Sequence, residues 1–189
     1  MASLIYFIHM SLDGFVADEK GIFEWTAPDE EVFTFINNLL RPVGTYLFGR
    51  RMYEVMAVWD TLDLMDQPQN MREFAGLWQA ADKVVYSSTL EAAITVRTRV
   101  ERRFEPEAIW KMKADSQRDL NIGGPTLAAY AIRAGLVDLI HIIIVPIIVG
   151  GGTRAFSSGI SKQLILQEQH RFRNGMVYLQ YRSVNGAAT

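Results

Sequence analysis

The chain has 189 residues, 49% of them hydrophobic and 21% charged, which suits one globular domain with a real core. Its formal net charge of −2 disfavours nucleic acid or an anionic membrane as the main partner, because such partners select a basic surface. The absence of cysteine excludes disulfides and thiolate chemistry, and the three histidines show no metal-ligand spacing, so we expect no metal.

The N-terminal segment MASLIYFIHMSLDG has no basic region, and polar residues interrupt its apolar run. We therefore expect no signal peptide. The longest apolar run, residues 142–149, is too short to span a bilayer. These features predict a single domain over residues 1–189, located in the cytoplasm.

The first third of the chain predicts a strand, a loop and a helix. Residues 4–10 indicate a buried strand. Pro28 is expected in the first turn of a helix, because residues 29–31 are acidic and residues 32–40 show apolar side chains at helical spacing. Pro42 is expected to end this helix.

The middle of the chain predicts strands and helices in alternation. They are a strand over 44–49, a helix over 50–58, strands over 83–88 and 93–100, a helix over 106–114, a strand over 119–122 and a helix over 126–134. Such alternation implies a mostly parallel sheet with helices on both faces.

The C-terminal part predicts a long apolar strand over 137–149, interrupted by Pro146, and two strands within 163–184 joined by Asn174-Gly175. The predicted fold class is therefore α/β. It is a three-layer arrangement with a mostly parallel central sheet, helices on both faces and an antiparallel C-terminal hairpin.

Ligands of such sheets bind at the carboxyl ends of the strands. Three predicted strand ends suit an anion: Gly49-Arg50-Arg51, Ser87-Ser88-Thr89 and Gly123-Gly124-Pro125-Thr126. The glycines could admit a phosphate to the free amides of a helix start, or form only a tight turn. Positive charges at a helix start interact unfavourably with the helix dipole unless a bound anion neutralises them. The two arginines could also pair with Glu54. Together, the three ends favour a ligand with several phosphates, such as a dinucleotide.

A further glycine segment, Gly150-Gly151-Gly152-Thr-Arg-Ala155, matches the spacing of a dinucleotide fingerprint. That fingerprint requires a helix next, whereas residues 154–162 are a poor helix sequence. We interpret the segment as a turn, one that could border the site.

Few residues suit acid–base chemistry. Asp13 follows the first strand, and Glu30 and Glu31 begin the first long helix, near Trp25. A carboxylate in an apolar pocket can hold a protonated heterocycle or relay a proton, although each of these three could be simply solvated. The histidines are expected in the core, at His9, His141 and His170.

Taken together, these segments resemble the dihydrofolate reductase-like superfamily, and more closely the reductase domain of the bifunctional riboflavin-biosynthesis deaminase–reductase and its stand-alone relatives. The matching motifs follow the family's order: Ser11-Leu-Asp-Gly-Phe-Val-Ala17, Gly49-Arg-Arg-Met-Tyr-Glu54, Lys83-Val-Val-Tyr-Ser-Ser88, Ile122-Gly-Gly-Pro-Thr-Leu127, and Asp138 through Pro146 to Gly151-Gly152.

The resemblance implies an NADPH-dependent reductase. The cofactor-binding residues that it implies are Val16, Ala17, Gly49, Arg50, Arg51, Ser87, Ser88, Gly123, Gly124, Pro125 and Thr126. The arginines would face the 2′-phosphate or pyrophosphate, residues 123–126 would cap the pyrophosphate, and Val16 and Ala17 would lie against the nicotinamide. The loop over residues 13–25 would be the lid.

On the substrate side, the segment that begins at Trp25 resembles the stretch before the substrate-binding carboxylate of folate reductases. It implies Trp25 and Glu30 as substrate-binding residues, with Glu31 as the rival carboxylate. The chain differs from the riboflavin enzymes at two positions: it has Phe7 where they carry a lysine, and Ile122 where they carry a glutamate. We also predict that Ile122 contacts the substrate. The implied substrate is a pterin, pyrimidine or related heterocycle.

Three functions follow from these features. The first is a reductase resembling 5-amino-6-(5-phosphoribosylamino)uracil reductase, and the second is a true dihydrofolate reductase. The third is a non-catalytic NADPH-binding or sensor protein, which Phe7 and Ile122 allow. The family also suggests a homodimer, formed through the apolar residues 142–149.

Overall fold

The computed structural model describes residues 1–184, in which strands and helices alternate. The strands are β1 (Leu4–Ser11), β2 (Phe15–Ala17), β3 (Val43–Gly49), β4 (Asp82–Tyr86), β5 (Thr98–Glu101), β6 (Asp119–Gly123), β7 (Leu139–Val145), β8 (Thr153–Arg154), β9 (Leu164–Arg171) and β10 (Val177–Ser183). The helices are α1 (Glu30–Leu40), α2 (Arg50–Met56), α3 (Gln69–Ala80), α4 (Pro106–Asp115) and α5 (Pro125–Arg133). None of the helices within residues 1–184 has both the length and the apolar composition that a membrane span requires.

Eight strands form one sheet in the order β5-β4-β3-β6-β1-β7-β10-β9. The first six are mutually parallel, and β10 runs antiparallel to both β7 and β9. The predicted fold class is confirmed, including the C-terminal hairpin. Strand β1 lies near the centre because it is apolar on both sides, so that helices must cover it from both faces.

The two faces of the sheet carry separate hydrophobic clusters. On one side, which we call the α1 face, the sheet packs against α1, α2 and α3 through residues that include Ile36, Tyr53 and Trp78. On the other, the α5 face, it packs against α4 and α5 through residues that include Ile109 and Ala128. Side chains alternate between these faces along each strand, and this alternation decides which residues can meet a ligand.

Two helices begin at other residues than predicted. Asp29 caps α1 by accepting a hydrogen bond from the Val32 amide at 3.0 Å. Pro28 therefore precedes the helix, and its predicted place in the first turn is wrong. Helix α5 begins one residue earlier than predicted, at Pro125. Pro125 follows Gly124, whose φ of 87° lies in the left-handed region that glycine tolerates.

The strand predicted over residues 93–100 is observed only from Thr98 onward, as β5. Arg97 has a φ of 54°, which breaks an extended chain. The Tyr53 hydroxyl accepts hydrogen bonds from the amides of Ile94 and Thr95, at 2.8 and 3.0 Å. A buried tyrosine therefore holds this segment as a loop.

The middle of the chain also departs from prediction in its helices. Helix α3 was not predicted, because its fully buried side chains are few and no side chain caps its start. The helix predicted over 50–58 ends at Met56 and continues as a 3₁₀ turn over Ala57–Asp60.

The apolar run over residues 142–149 is buried in its first part, at Ile142, Ile143 and Val145, and partly exposed after Pro146. Strand β7 ends at Val145, before Pro146, and lies between β1 and β10. Ile143 is fully buried, whereas Ile148 is 70% exposed. Because β7 is already paired on both edges, only the residues after Val145 could take part in a dimer through this run, and such a dimer stays a prediction. A homodimer through another surface stays a prediction.

Candidate active site

The three predicted anion-binding strand ends lie side by side. In the sheet, Phe48 of β3 is opposite Gly123 of β6, and Gly49 is opposite Tyr86 of β4. Residues 49–51 therefore lie between the segment that follows β4 and the segment that follows β6. The parallel register brings together groups that are far apart in sequence.

The two glycines at the end of β6 are each required, one by close packing and the other by its backbone conformation. A Cβ on Gly123 would lie 2.4 Å from the buried ring of Phe48, and Gly124 has a positive φ. No side chain caps α5, so its first amides are available, and Thr126 is exposed beside them. A phosphate could approach this backbone closely, which is what a pyrophosphate-containing cofactor requires.

Arg50 joins the ends of β3 and β4. Its Nε donates to Glu54 Oε1 at 2.7 Å, and its Nη1 donates to Thr89 Oγ1 at 3.0 Å. Arg51 is exposed and makes no ion pair within residues 1–184. Space above Gly49 is open, so the edge is cationic and accessible.

The segment after β4 is organised by Ser87 and by an arginine that was not predicted. Ser87 Oγ accepts hydrogen bonds from the amides of Thr89 and Leu90, at 3.2 and 3.0 Å, while Ser88 is exposed. Arg102 Nη1 donates to the carbonyls of Ser87 and Leu90, at 3.1 and 2.7 Å. Arg102 follows β5, so only the pairing of β5 with β4 brings it here.

A row of aromatic rings, also not predicted, borders the same edge on the α5 face. The centroids of Tyr86 and Phe104 are 5.3 Å apart, and those of Phe104 and Tyr130 are 6.3 Å apart. Tyr130 is 57% exposed and lies one helical turn after Thr126, on the same side of α5. An exposed ring beside cationic groups is suited to stack a base.

On the α1 face, β1 presents Phe7 and His9 next to the loop that precedes α1. The two rings lie edge to face, 5.2 Å apart. His9 Nδ1 is 3.1 Å from the carbonyl oxygen of Thr26, which fixes Nδ1–H as the donor. Burial lowers the pKa of His9, against the opposing effect of this hydrogen bond. A half-buried, neutral imidazole therefore ties residues 25–26 to β1, whereas a fully buried core residue was predicted.

The other histidines differ from each other. His141 is buried, as predicted, and its Nδ1 is 3.1 Å from the Tyr178 hydroxyl. His170 lies exposed on the edge strand β9, stacked on Phe35 at 5.3 Å between centroids. Its predicted place in the core is wrong, because no further strand covers β9 within residues 1–184.

The two rival carboxylates at the start of α1 differ in their partners. Glu31 Oε2 accepts a hydrogen bond from the Arg173 amide at 3.3 Å and lies 3.6 Å from Arg173 Nε. Glu30 is exposed, and within residues 1–184 it has no ion pair. Half-buried Trp25 packs on the α1-face cluster nearby. Glu30 is therefore the carboxylate that is more available to a ligand.

Ile122 lies apart from the predicted substrate-binding residues Trp25 and Glu30. Its side chain is fully buried in the cluster on the α5 face, whereas Phe7 and Trp25 pack on the α1 face. The structure corrects the prediction of a substrate contact at Ile122, because strand alternation turns it into the opposite core layer.

Asp13, Val16 and Ala17 lie beside the end of β1. Val16 and Ala17 are half-buried on β2, which pairs with β8. The Asp13 carboxylate accepts hydrogen bonds from Ser11 Oγ and from two amides of the segment after β7. The hydrogen bond from Ser11 is the largest cause that lowers the pKa of Asp13.

Cavity size does not single out this edge. A depression of about 330 Å³ lies at the hairpin, beside His170, and one of about 260 Å³ lies at the amino ends of the strands, beside Gly44 and Asp82. Neither depression combines glycines, free helix-start amides and cationic side chains in its lining. We therefore locate the candidate site by the chemistry of the strand ends.

Comparison with known proteins gives a family and a fold. The sequence matches the RibD C-terminal domain family over residues 2–178. It is 26% identical to the uncharacterized protein YyaP of Bacillus subtilis (strain 168) over 180 residues, covering 83% of this chain and 90% of that protein.

Several solved structures are similar to this one, and two of them represent the riboflavin-biosynthesis and the dihydrofolate reductase neighbours. A putative riboflavin biosynthesis protein from Shewanella sp. PV-4 matches with a TM-score of 0.76 and 21% identity, covering 97% of this chain and 99% of that one. Dihydrofolate reductase from Enterococcus faecalis, complexed with NADP(H) and RAB-propyl, matches with a TM-score of 0.63 and 14% identity, covering 96% of each chain. The fold is dihydrofolate reductase-like, as predicted.

Proposed function

The chain belongs to the RibD C-terminal domain family, and from this membership we propose that it is an NADPH-dependent reductase of a pterin, pyrimidine or related heterocycle. The activity would resemble that of 5-amino-6-(5-phosphoribosylamino)uracil reductase. The observation that carries the proposal is the register that sets residues 49–51 between the ends of β4 and β6. It gathers two arginines, exposed hydroxyls and an uncapped helix start at one edge.

The residues at this edge fit NADPH part by part. Arg51 has an exposed guanidinium without an ion-pair partner among residues 1–184, and it suits the 2′-phosphate because charge-assisted contacts are strong. The start of α5 suits the pyrophosphate, and the ring of Tyr130 suits the adenine. When bound, NADPH supplies the hydride. The protein's part would be to orient the cofactor and exclude water.

The substrate side favours an uncharged, planar ring. Phe7 and His9 offer an aromatic floor without positive charge, where the riboflavin enzymes carry a lysine. A phosphate group would find no cation among these side chains. Glu30, at the start of α1, would accept hydrogen bonds from ring nitrogens, as a carboxylate does for an amidine-like edge.

The cofactor assignment is tested by titrating NADPH against tryptophan fluorescence. We expect Arg50→Ala/Arg51→Ala to weaken NADPH roughly 10- to 100-fold, because a charge-assisted contact is worth about 1.5–3 kcal/mol. The affinity for NADH, which lacks the 2′-phosphate, should fall much less in the same variant. Arg41→Ala/Lys111→Ala removes the same charge from α4 and from the end of α1, and should bind NADPH as the wild type does.

Two results would overturn this assignment: no NADPH binding by the wild type, or equal binding by the wild type and the Arg50/Arg51 variant. NADPH consumption with a panel that includes dihydrofolate and uncharged pyrimidines then tests the reductase activity. Tight binding without consumption of NADPH by any of these heterocycles would favour the sensor function.

A further inference from the structure

Three consecutive glycines, Gly150 to Gly152, have no place in the proposed cofactor site, yet the last two of them pack tightly. A Cβ on Gly152 would lie 2.1 Å from the carbonyl oxygen of Ala17, and one on Gly151 would lie 2.6 Å from a carboxylate oxygen of Glu19. Gly152 also has a φ of 119°. The segment therefore serves as a backbone surface against which the chain after β2 rests.

Asp13 holds the near side of this segment. Its Oδ1 accepts hydrogen bonds from Ser11 Oγ at 2.6 Å and from the Val149 amide at 3.2 Å. Its Oδ2 accepts one from the Gly150 amide at 2.8 Å. Both carboxylate oxygens are thus engaged, and they join the turn after β1 to the segment after β7.

The two segments are joined further along their length. Fully buried Ser11 accepts a hydrogen bond from the Phe15 amide through its hydroxyl at 2.9 Å. The Leu12 amide donates to the Ile147 carbonyl at 2.8 Å, and the Ala155 amide donates to the Gly14 carbonyl at 2.9 Å. Residues 11–17 are consequently bound along one side by residues 147–155.

Strand β2 needs this support. It has three residues, and its partner β8 has two, whereas an isolated two-stranded pair is marginal even at greater length. The Arg154 guanidinium lies 4.9 Å from the centroid of the Phe15 ring, which adds one more contact. The position of Val16 and Ala17 is therefore set by the neighbouring turn and glycine segment.

We propose that Ser11, Asp13 and Gly150–Gly152 form a clamp that positions Val16 and Ala17 against the nicotinamide, with Asp13 as a positioning residue and not a proton donor. The proposal rests on the proposed function, because only that function gives β2 a cofactor to meet. It assigns a task to the glycine segment and changes the task first predicted for Asp13. An ionised carboxylate that accepts three hydrogen bonds has no proton to give.

The test compares two ligands. NADPH contains the nicotinamide, whereas adenosine 2′,5′-bisphosphate contains only the adenosine half. In Gly152→Ala we expect NADPH to bind at least about fivefold more weakly, the loss that one hydrogen bond represents, while the bisphosphate changes less than about twofold. Gly159→Ala is the matched control, because Gly159 also has a positive φ of 73° but nothing within 4 Å of its Cβ.

Asp13→Ala and Asp13→Asn keep the proposal testable if Gly152→Ala does not fold. Asp13→Ala should show the same selective loss of NADPH, and Asp13→Asn a smaller one, because an amide keeps one acceptor oxygen. In the pH profile of single-turnover NADPH oxidation, Asp13→Asn should lower the rate without removing any ionisation. Loss of an acidic limb would instead identify a proton donor and overturn the proposal.

The possible failures are separable. If the wild type binds neither ligand, the proposed function fails. If the wild type binds both, and Gly152→Ala and Asp13→Ala bind both as well as Gly159→Ala does, only the clamp fails. Equal weakening of both ligands would also overturn the clamp, because it would indicate general damage to the fold.

Discussion

The cofactor side and the substrate side of the candidate site are built in different ways. The cofactor side consists of short segments at strand ends, such as residues 49–51 and 123–126, in which neighbours in sequence act together. The substrate side depends on contacts between distant residues, such as His9 with Thr26 and Glu31 with Arg173, which is 142 residues away. Groups of the first kind are visible in a sequence, whereas groups of the second kind exist only after folding.

The largest expected effect sharpens this comparison at the start of α1. Because Glu31 already has Arg173 as a partner, we expect Glu30→Gln to lower turnover of the heterocycle about 100-fold or more, as loss of a positioned acid–base group does. Glu31→Gln, the matched control, should lower it only a few-fold. Steady-state kinetics with NADPH and the best substrate of the panel would measure both.

NADPH affinity should stay unchanged in Glu30→Gln, because the cofactor side is assembled from other segments. A larger loss of turnover in Glu31→Gln than in Glu30→Gln would reverse the assignment. It would indicate that the Arg173 pair breaks when substrate binds.

The second prediction concerns the cofactor side, where close packing requires that residue 123 be a glycine. Gly123→Ala would place a methyl group 2.4 Å from the Phe48 ring, and that ring stacks on both Tyr46 and Trp78. We expect the free energy of unfolding to fall by up to about 3 kcal/mol, as overpacking of a core does. Urea denaturation would measure the change.

Gly76→Ala is the control for this variant. Gly76 lies exposed in α3 with nothing near its Cβ, and alanine is the better helix former by up to about 1 kcal/mol. This variant should therefore be slightly more stable than the wild type. Equal stability of Gly123→Ala and the wild type would show that the backbone at β6 yields easily.

The third and smallest effect concerns His141, a buried residue of β7 that neighbours the substrate side. Burial lowers the pKa of His141 to about 4, and His141 lies opposite Phe7 in the sheet. In the unfolded chain a histidine has a pKa of about 6.5. Between these values only the unfolded state binds the proton, so stability falls as the pH falls from about 6.5 to about 4.

Between pH 7 and pH 5 this group should remove about 2 kcal/mol of stability. Urea unfolding of the wild type and of His141→Gln at both pH values would isolate the contribution, because the variant cannot bind this proton. Equal losses in the two proteins would show that His141 does not govern the pH response of this face.

Prediction from sequence succeeded where the pattern is local. The parallel strands of the main sheet and the C-terminal hairpin follow from periodicity and turn chemistry, whereas the short strands β2 and β8 were not predicted. It failed for α3, which has few buried positions, and for residues 93–97, which a distant tyrosine holds in a loop. Arg102 and Tyr130 were missed because nothing in their neighbourhood marks them; the pairing of β5 and the packing of α5 bring them to the edge.

By itself, the sequence determined the layers of the fold and the segments that suit a cofactor, because hydrophobic period, glycine and charge act over a few residues. Only the tertiary structure decided which side chains share a face. It buried Ile122 under α5, paired Glu31 with Arg173, and joined Asp13 to a glycine segment more than a hundred residues away. The reason is physical: register and packing set distances between residues that the chain itself does not constrain.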